Sequence, residues 1–212
     1  MDNSLTWTSP NGIAVTLTHL VLKNLRGEKL KKTGMSLRGM IYASLFGAGT
    51  AAGAYLIIPL PPVPITLQTL FLGLAGALLG ARLGALSQVI YLLIGIMGLP
   101  VFAGGKAGLG VLLGPTGGYL IGFVAGAWVI GALVNLKKNP GFAWTVAALV
   151  AGTVVIYLLG VAQLSLVAKL SVNKAITVGV LPFLIGDMVK ILATAYVVKR
   201  VKPKLRIQGP SA

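Results

Sequence analysis

Apolar runs separated by short polar breaks dominate the chain from residue 38 onward. Six of them reach or approach the about 17–25 residues that a helix needs to cross a bilayer. They cover roughly 38–58, 65–81, 83–99, 117–136, 141–162 and 181–199. The second and third are short and are separated only by Ala81-Arg82. Strand-like alternation is absent, and Gly and Ala abound, so the pattern predicts helices and not a barrel. The expected class is an all-α membrane protein, a bundle of six transmembrane helices. Small residues recur at four-residue spacing in the first run (Ala43, Gly47, Ala51, with Ala48 and Ala52 alongside) and again at Gly76, Gly80 and Gly84. Such ladders let helix backbones approach closely. The second ladder is expected to pack within the chain; the first suits either internal packing or a partner subunit.

Composition agrees with the run pattern. The 212 residues are 56% hydrophobic and only 10% charged, against about 25% charged in a soluble domain. The net charge of +15 would suggest nucleic acid in a soluble protein. Here the cations sit between and beyond the apolar runs, so they read as a topology signal, with attraction to anionic lipid as a secondary effect. Lys23, Arg26, Lys29, Lys31, Lys32, Arg38, Arg82, Lys137, Lys138, Lys199, Arg200, Lys202, Lys204 and Arg206 fall on one side, and Lys106, Lys169 and Lys174 on the other. The positive-inside rule makes both termini cytoplasmic. Residues 1–34 form a basic leader, a surface helix or a disordered extension; 35–200 form the membrane domain, and 201–212 a basic tail. With no Cys, one His and three acids, the chain lacks ligands for an ordinary transition-metal site.

Charge inside the sixth run changes the picture most. Asp187 is the only acid after Glu28 and has Lys190 three positions on. A charge in mid-bilayer costs about 2.5–3.5 kcal/mol on insertion scales, so such residues face a protein interior or a watery cavity. Three apart on a helix, the two side chains are neighbours. Two readings stay open: a structural salt bridge, or a pair that holds a polar solute. The third loop, Gly98 to Gly118, is dense in Gly yet contains Phe102, Val111, Leu112 and Leu113. Irregular backbone at membrane depth is tolerated only where it is buried in protein or lines a cavity. The stretch Val161 to Val180 is long for a plain turn and suits a short helix lying outside. Gln68 and Tyr91 are further site candidates, while isolated Ser and Thr usually bond their own backbone. A phosphate-binding loop is excluded, because Gly105-Lys106 is followed by Ala107 and the required earlier Gly is Pro100.

Pro62-Val-Pro-Ile-Thr-Leu-Gln-Thr69, Gly98-Leu-Pro-Val-Phe-Ala-Gly-Gly105, Gly114-Pro-Thr-Gly-Gly-Tyr-Leu-Ile-Gly122, Leu181-Pro-Phe183 and Gly186-Asp-Met-Val-Lys190, in that order, resemble the BioY family. These are the biotin-specific substrate-binding (S) components of energy-coupling factor (ECF) transporters. The resemblance runs from about Met35 to Arg200 and leaves the leader outside it. It implies a six-helix bundle that binds biotin from the outer face. It also implies a transmembrane coupling subunit and two cytoplasmic ATPase subunits as partners, with no cofactor. By that resemblance Asp187 and Lys190 bind substrate; Gln68 and Tyr91 join them as the polar candidates read from the spans, and Phe102 and Tyr119 as apolar walls for the ring system. Gly104, Gly105, Thr116 and Gly117 of the third loop close over the site. Ala43, Gly47 and Ala51 look like the docking face, although Ala48 and Ala52 offer a second register.

Biotin suits these groups: its ureido ring has two N–H donors and a carbonyl, and its valerate is anionic. Lys190 can reach the ureido oxygen or the carboxylate. Alternatives are an S component for a different vitamin and a stand-alone biotin transporter. An intramembrane enzyme is disfavoured, since His19, the one His, lies in the leader.

Overall fold

The computed structural model describes residues 36–204. The leader expected at 1–34 and the tail from 205 lie outside the described residues. The elements run α1 (Leu37–Gly53), β1 (Ile57–Ile58), β2 (Ile65–Thr66), α2 (Gln68–Leu79), α3 (Ala81–Ile96), α4 (Leu109–Leu113), α5 (Gly117–Asn135), α6 (Phe142–Val167), α7 (Val172–Gly179), a 3-10 turn (Leu181–Phe183) and α8 (Leu184–Val201), ending in a second 3-10 turn (Lys202–Lys204). Each of the six apolar runs therefore carries one helix of 12 or more residues. Among the described residues, three helical stretches are long and apolar enough to cross a membrane: Gly117–Asn135, Phe142–Val167 and Val172–Val201.

Several boundaries differ from the sequence reading. The first run was expected to continue to 58 but its helix stops at Gly53, and the chain turns into a two-stranded antiparallel hairpin pairing Ile57 with Thr66 and Ile58 with Ile65. Two-residue strands are too short to leave a period-two signature. α2 has only 12 residues, about 18 Å of helix, because the hairpin occupies the rest of that run. The third loop holds the five-residue α4. α6 continues to Val167, beyond the expected 162, and α7 is the short helix expected between Val161 and Val180. Pro182 lies in the 3-10 turn at the start of the last helix, where its missing N–H is harmless.

Small residues bring the helices together. A Cβ on Gly84 would stand 2.8 Å from Gly76 Cα, and one on Gly76 2.7 Å from Ala127 O. The expected internal ladder thus joins α2, α3 and α5. A further ladder on α5, not singled out in the sequence, presents Gly118, Gly122 and Gly126 to Leu159, Ile156 and Gly152 of α6. The first-helix ladder proposed for docking is also used internally. Ala43 and Gly47 are buried, Ala51 is half-buried against the core, and a Cβ on Gly47 would meet Ser87 O of α3 at 2.8 Å. The docking expectation for Ala43, Gly47 and Ala51 is corrected: that stripe faces α3, and Ser44, Ala48 and Ala52 are the exposed small residues.

At one end of the bundle Lys202 Nζ donates to Ala77 O at 3.0 Å and to Asn135 Oδ1 at 3.3 Å, tying the end of α8 to the ends of α2 and α5. At the other end the hairpin and the third loop meet, as Tyr55 donates its hydroxyl to Pro100 O.

Gly131 should tolerate a side chain poorly, since its Cβ would lie 2.3 Å from Ala81 N, a backbone atom. Gly131→Ala should destabilise the detergent-solubilised bundle by about 1–3 kcal/mol, read as a lower thermal midpoint. Gly186→Ala, where a Cβ meets nothing within 4 Å, should leave the midpoint unchanged or slightly raised.

A cavity around the membrane-buried ion pair

Asp187 lies in the first turn of α8 and is buried, whereas its neighbours Ile185, Met188 and Val189 are exposed on the opposite, apolar face. Helical spacing thus turns Asp187 and Lys190 inward together. Lys190 Nζ stands 2.5 Å from Asp187 Oδ1. It also donates to Thr69 Oγ1 at 2.8 Å and to Thr66 O at 3.0 Å. An ammonium has three N–H donors, and these three acceptors account for all of them. Asp187 Oδ1 also accepts from Thr69 Oγ1 at 3.3 Å, and Oδ2 accepts from the Tyr157 hydroxyl. With two lone pairs on each carboxylate oxygen, Oδ2 keeps one site for a further donor.

The pair forms part of the wall of a cavity of about 700 Å³, counting the part open to solvent. Apolar walls come from Val63, Phe102, Leu120, Phe123, Ile156 and Phe183, and polar groups from Thr66, Gln68, Thr69, Thr116, Tyr119 and Tyr157. Mostly apolar walls with a few convergent polar groups are what a binding site for a small organic solute requires.

Gln68 opens α2 directly after the hairpin. Its Nε2 donates to the Tyr91 hydroxyl, and its Oε1 accepts from Thr66 Oγ1 at 2.9 Å. One amide N–H and one lone pair remain for a ligand. Tyr91 packs edge-on to Phe102, with centroids 5.6 Å apart and planes at 83°. Phe102 fits where Gly95 leaves room, since a Cβ there would meet its ring at 2.2 Å. Phe102 N–H donates to Lys106 O at 3.0 Å, and Gly105 N–H to Phe102 O at 3.0 Å. That tight turn requires left-handed backbone at Gly104 and Gly105, with φ of 72° and 73°. Gln163 on α6 holds the other end of the loop, donating to Leu112 O at 2.6 Å and Gly114 O at 2.8 Å.

The residues 27–207 match the model of the BioY family. The chain belongs to the BioY family. The match starts at residue 27, so it includes the end of the leader that the sequence reading placed outside it. A biotin transporter BioY of Thermotoga maritima is 46% identical over 172 residues, 81% of this chain and 99% of the relative. A probable biotin transporter BioY of Pyrococcus horikoshii is 38% identical over 168 residues, 79% of this chain and 98% of the relative. The fold resembles the crystal structure of the S-component for biotin from an ECF-type ABC transporter, with a TM-score of 0.73 and 27% identity, covering 84% of this chain and 95% of that one. The protein is thus an all-α membrane protein with the S-component fold, from a family of transporters and not of enzymes.

Among the BioY residues expected at the site, Asp187, Lys190, Gln68, Phe102, Thr116 and Tyr119 do line the cavity. Tyr91, Gly104, Gly105 and Gly117 do not. Tyr91 stands behind Gln68 and holds its amide. Gly104 and Gly105 shape the turn that carries Phe102. Gly117 lets α4 pack on α5, since a Cβ there would meet Leu112 O at 1.7 Å. Sequence reasoning passed over Thr66, Thr69, Tyr157 and Lys106. The two threonines lie in the Pro62–Thr69 motif, and a Tyr hydroxyl inside an apolar helix needs a partner, which was the available signal for Tyr157.

Tyr157→Phe removes the donor to Asp187 Oδ2 without changing the ring. It should destabilise the empty protein by about 1–3 kcal/mol, visible as a lower thermal unfolding midpoint in detergent. An unchanged midpoint would mean that water replaces the hydroxyl at no cost.

Proposed function

We propose that this chain is the biotin-binding S component of an ECF-type uptake transporter. In this reading it is a six-span bundle with both termini cytoplasmic, and the cavity around Asp187 is the biotin site. The observation that carries it is the satisfied ion pair on the wall of a roofed, mostly apolar cavity. The fused rings of biotin suit the aromatic walls. One ureido N–H meets the open lone pair of Asp187 Oδ2, and the remaining N–H and carbonyl face the amide of Gln68. The biotin names carried by the relatives support the same ligand.

Charge distribution supports the orientation. The end with Arg82, Lys137, Lys138, Lys199, Arg200 and Lys202 is rich in cations, and residues of the hairpin and the third loop, at the other end, line the cavity. Residues 35–200 are the S-component domain in this reading, with the flanking segments as basic extensions. Transport energy comes from partners, because the chain has no phosphate-binding motif: a transmembrane coupling subunit with two cytoplasmic ATPase subunits. The face of α1 available for the coupling subunit carries Ser44, Ala48 and Ala52 beside Ile41 and Leu45, all exposed.

Calorimetry with biotin, thiamin and riboflavin tests the ligand. Biotin alone should bind, and Asp187→Asn should weaken it by about 10- to 100-fold while the bundle stays folded. Binding of another vitamin in place of biotin, or an unchanged affinity in the variant, would overturn the assignment. For docking, Ala48→Trp should abolish co-purification with the coupling subunit yet keep biotin affinity within about twofold. Persistent co-purification would place the contact elsewhere.

A further inference from the structure

A second hollow, between α6 and α7, takes no part in the biotin reading. Its volume is about 1110 Å³, counting the part open to the surroundings. Along α6 it follows Val154, Leu158, Ala162 and Leu166, and α7 adds Val172 and Ile176, all of them exposed. Its two polar lining residues have already donated their protons. Tyr157 donates its hydroxyl to Asp187 Oδ2, and Ser165 Oγ donates to Leu170 O at 2.7 Å. The groove therefore offers hydrocarbon contact and no donor. A polar solute or an extended peptide lying there would leave its own polar groups unpaired, whereas an alkyl chain would not.

Length and charge narrow the occupant further. From Val154 to Leu166 α6 rises about 18 Å, close to one leaflet of a bilayer whose hydrocarbon core is about 30 Å thick. The end at Leu166 is cationic: Lys169 follows three residues later, Lys174 lies between Val172 and Ile176 on α7, and both are exposed. α7 is strongly amphipathic. Ala175 and Gly179 are buried, Val172 and Ile176 face the groove, and Asn173, Lys174 and Thr177 are exposed. That is the pattern of a helix lying in the membrane interface, at the level of lipid headgroups. Asp187, the sole acid among the described residues, is engaged by Lys190, so the charge that complements Lys169 and Lys174 comes from outside that part of the chain. A second copy of this protein fits less well. An isologous contact through the groove would set the same two lysines of each copy against one another.

We infer that the groove binds one anionic phospholipid, with an acyl chain along α6 and the phosphate held by Lys169 and Lys174. Tyr157 lines both the groove and the cavity. The acyl chain therefore packs behind the ring that donates to Asp187, and the lipid steadies one wall of the cavity from the membrane side.

Native mass spectrometry of the full chain, supplied in detergent with phosphatidylglycerol or phosphatidylcholine, tests this. One phosphatidylglycerol should stay bound, preferred over phosphatidylcholine by about 5- to 30-fold. Ala162→Trp, which fills the groove from an exposed position, should abolish the adduct. Lys169→Gln combined with Lys174→Gln should remove the headgroup preference while a lipid still binds. An adduct as abundant in Ala162→Trp as in the wild type puts the lipid elsewhere and overturns the site. Equal retention of the two lipids by the wild type, or a preference undiminished in the double lysine variant, overturns the role of the lysines. That variant changes only exposed side chains, so it carries the test even where Ala162→Trp does not fold. A lipid-free wild type that runs as a dimer, dispersed by Ala162→Trp, makes the groove a contact between copies and overturns the inference.

Discussion

A carboxylate inside an apolar bundle must have its charge balanced and its lone pairs filled, and the ends of several elements are placed to meet that demand at Asp187. α8 supplies the counter-charge one turn on. The hairpin ends at Thr66, whose carbonyl takes one Lys190 N–H. α2 begins where Thr69 can stand between the two charges. α6 brings Tyr157 from the far side. Removing one partner from such a group is costly, because the remaining charge is left buried and unpaired. The cavity wall is therefore also a structural junction, and what the junction leaves over is one lone pair on Asp187 and half of the Gln68 amide.

Room for the cavity comes from uneven packing. On the side of Lys202 the small-residue ladders draw α2, α3 and α5 together until backbone touches backbone. On the other side α2 is replaced by a hairpin and α3 by a long loop, so the helices cannot close on one another there. Aromatic side chains, not helix backbones, fill part of the gap. Irregular backbone is tolerated at membrane depth where it lines a cavity, and Val63, Pro64 and Thr66 of the hairpin segment do so.

The long-range organisation was legible in the sequence because burial in lipid constrains composition over whole runs. The six helices, the inward Asp187-Lys190 pair and the short helix after α6 all follow from hydropathy and helical spacing. What escaped was set by contacts between residues far apart in the chain. Nothing local says that Ala43 and Gly47 face α3 while Ala48 and Ala52 face outward, since both stripes have the same four-residue period. Likewise Tyr91 and Tyr157 are similar in sequence context, yet one steadies a cavity residue from behind and the other reaches Asp187 itself. Gly104 and Gly105 carry signal as glycines, but their conformation serves the aromatic beside them and not a ligand.

The edge-on contact of Phe102 with Tyr91 joins the roof of the cavity to its wall, because Tyr91 also holds Gln68. Aromatic pairs of this geometry contribute about 0.5–1.5 kcal/mol beyond area burial. Taken alone, that biases the shut arrangement over a lifted one by a factor of roughly 2 to 12. Phe102 is also fully buried, so lifting it would expose a whole aromatic ring as well as break this contact. The seat of Phe102 and the aim of the Gln68 amide thus share one support, so a change at Gly95 or Tyr91 would alter the cavity without adding or removing any group on its lining.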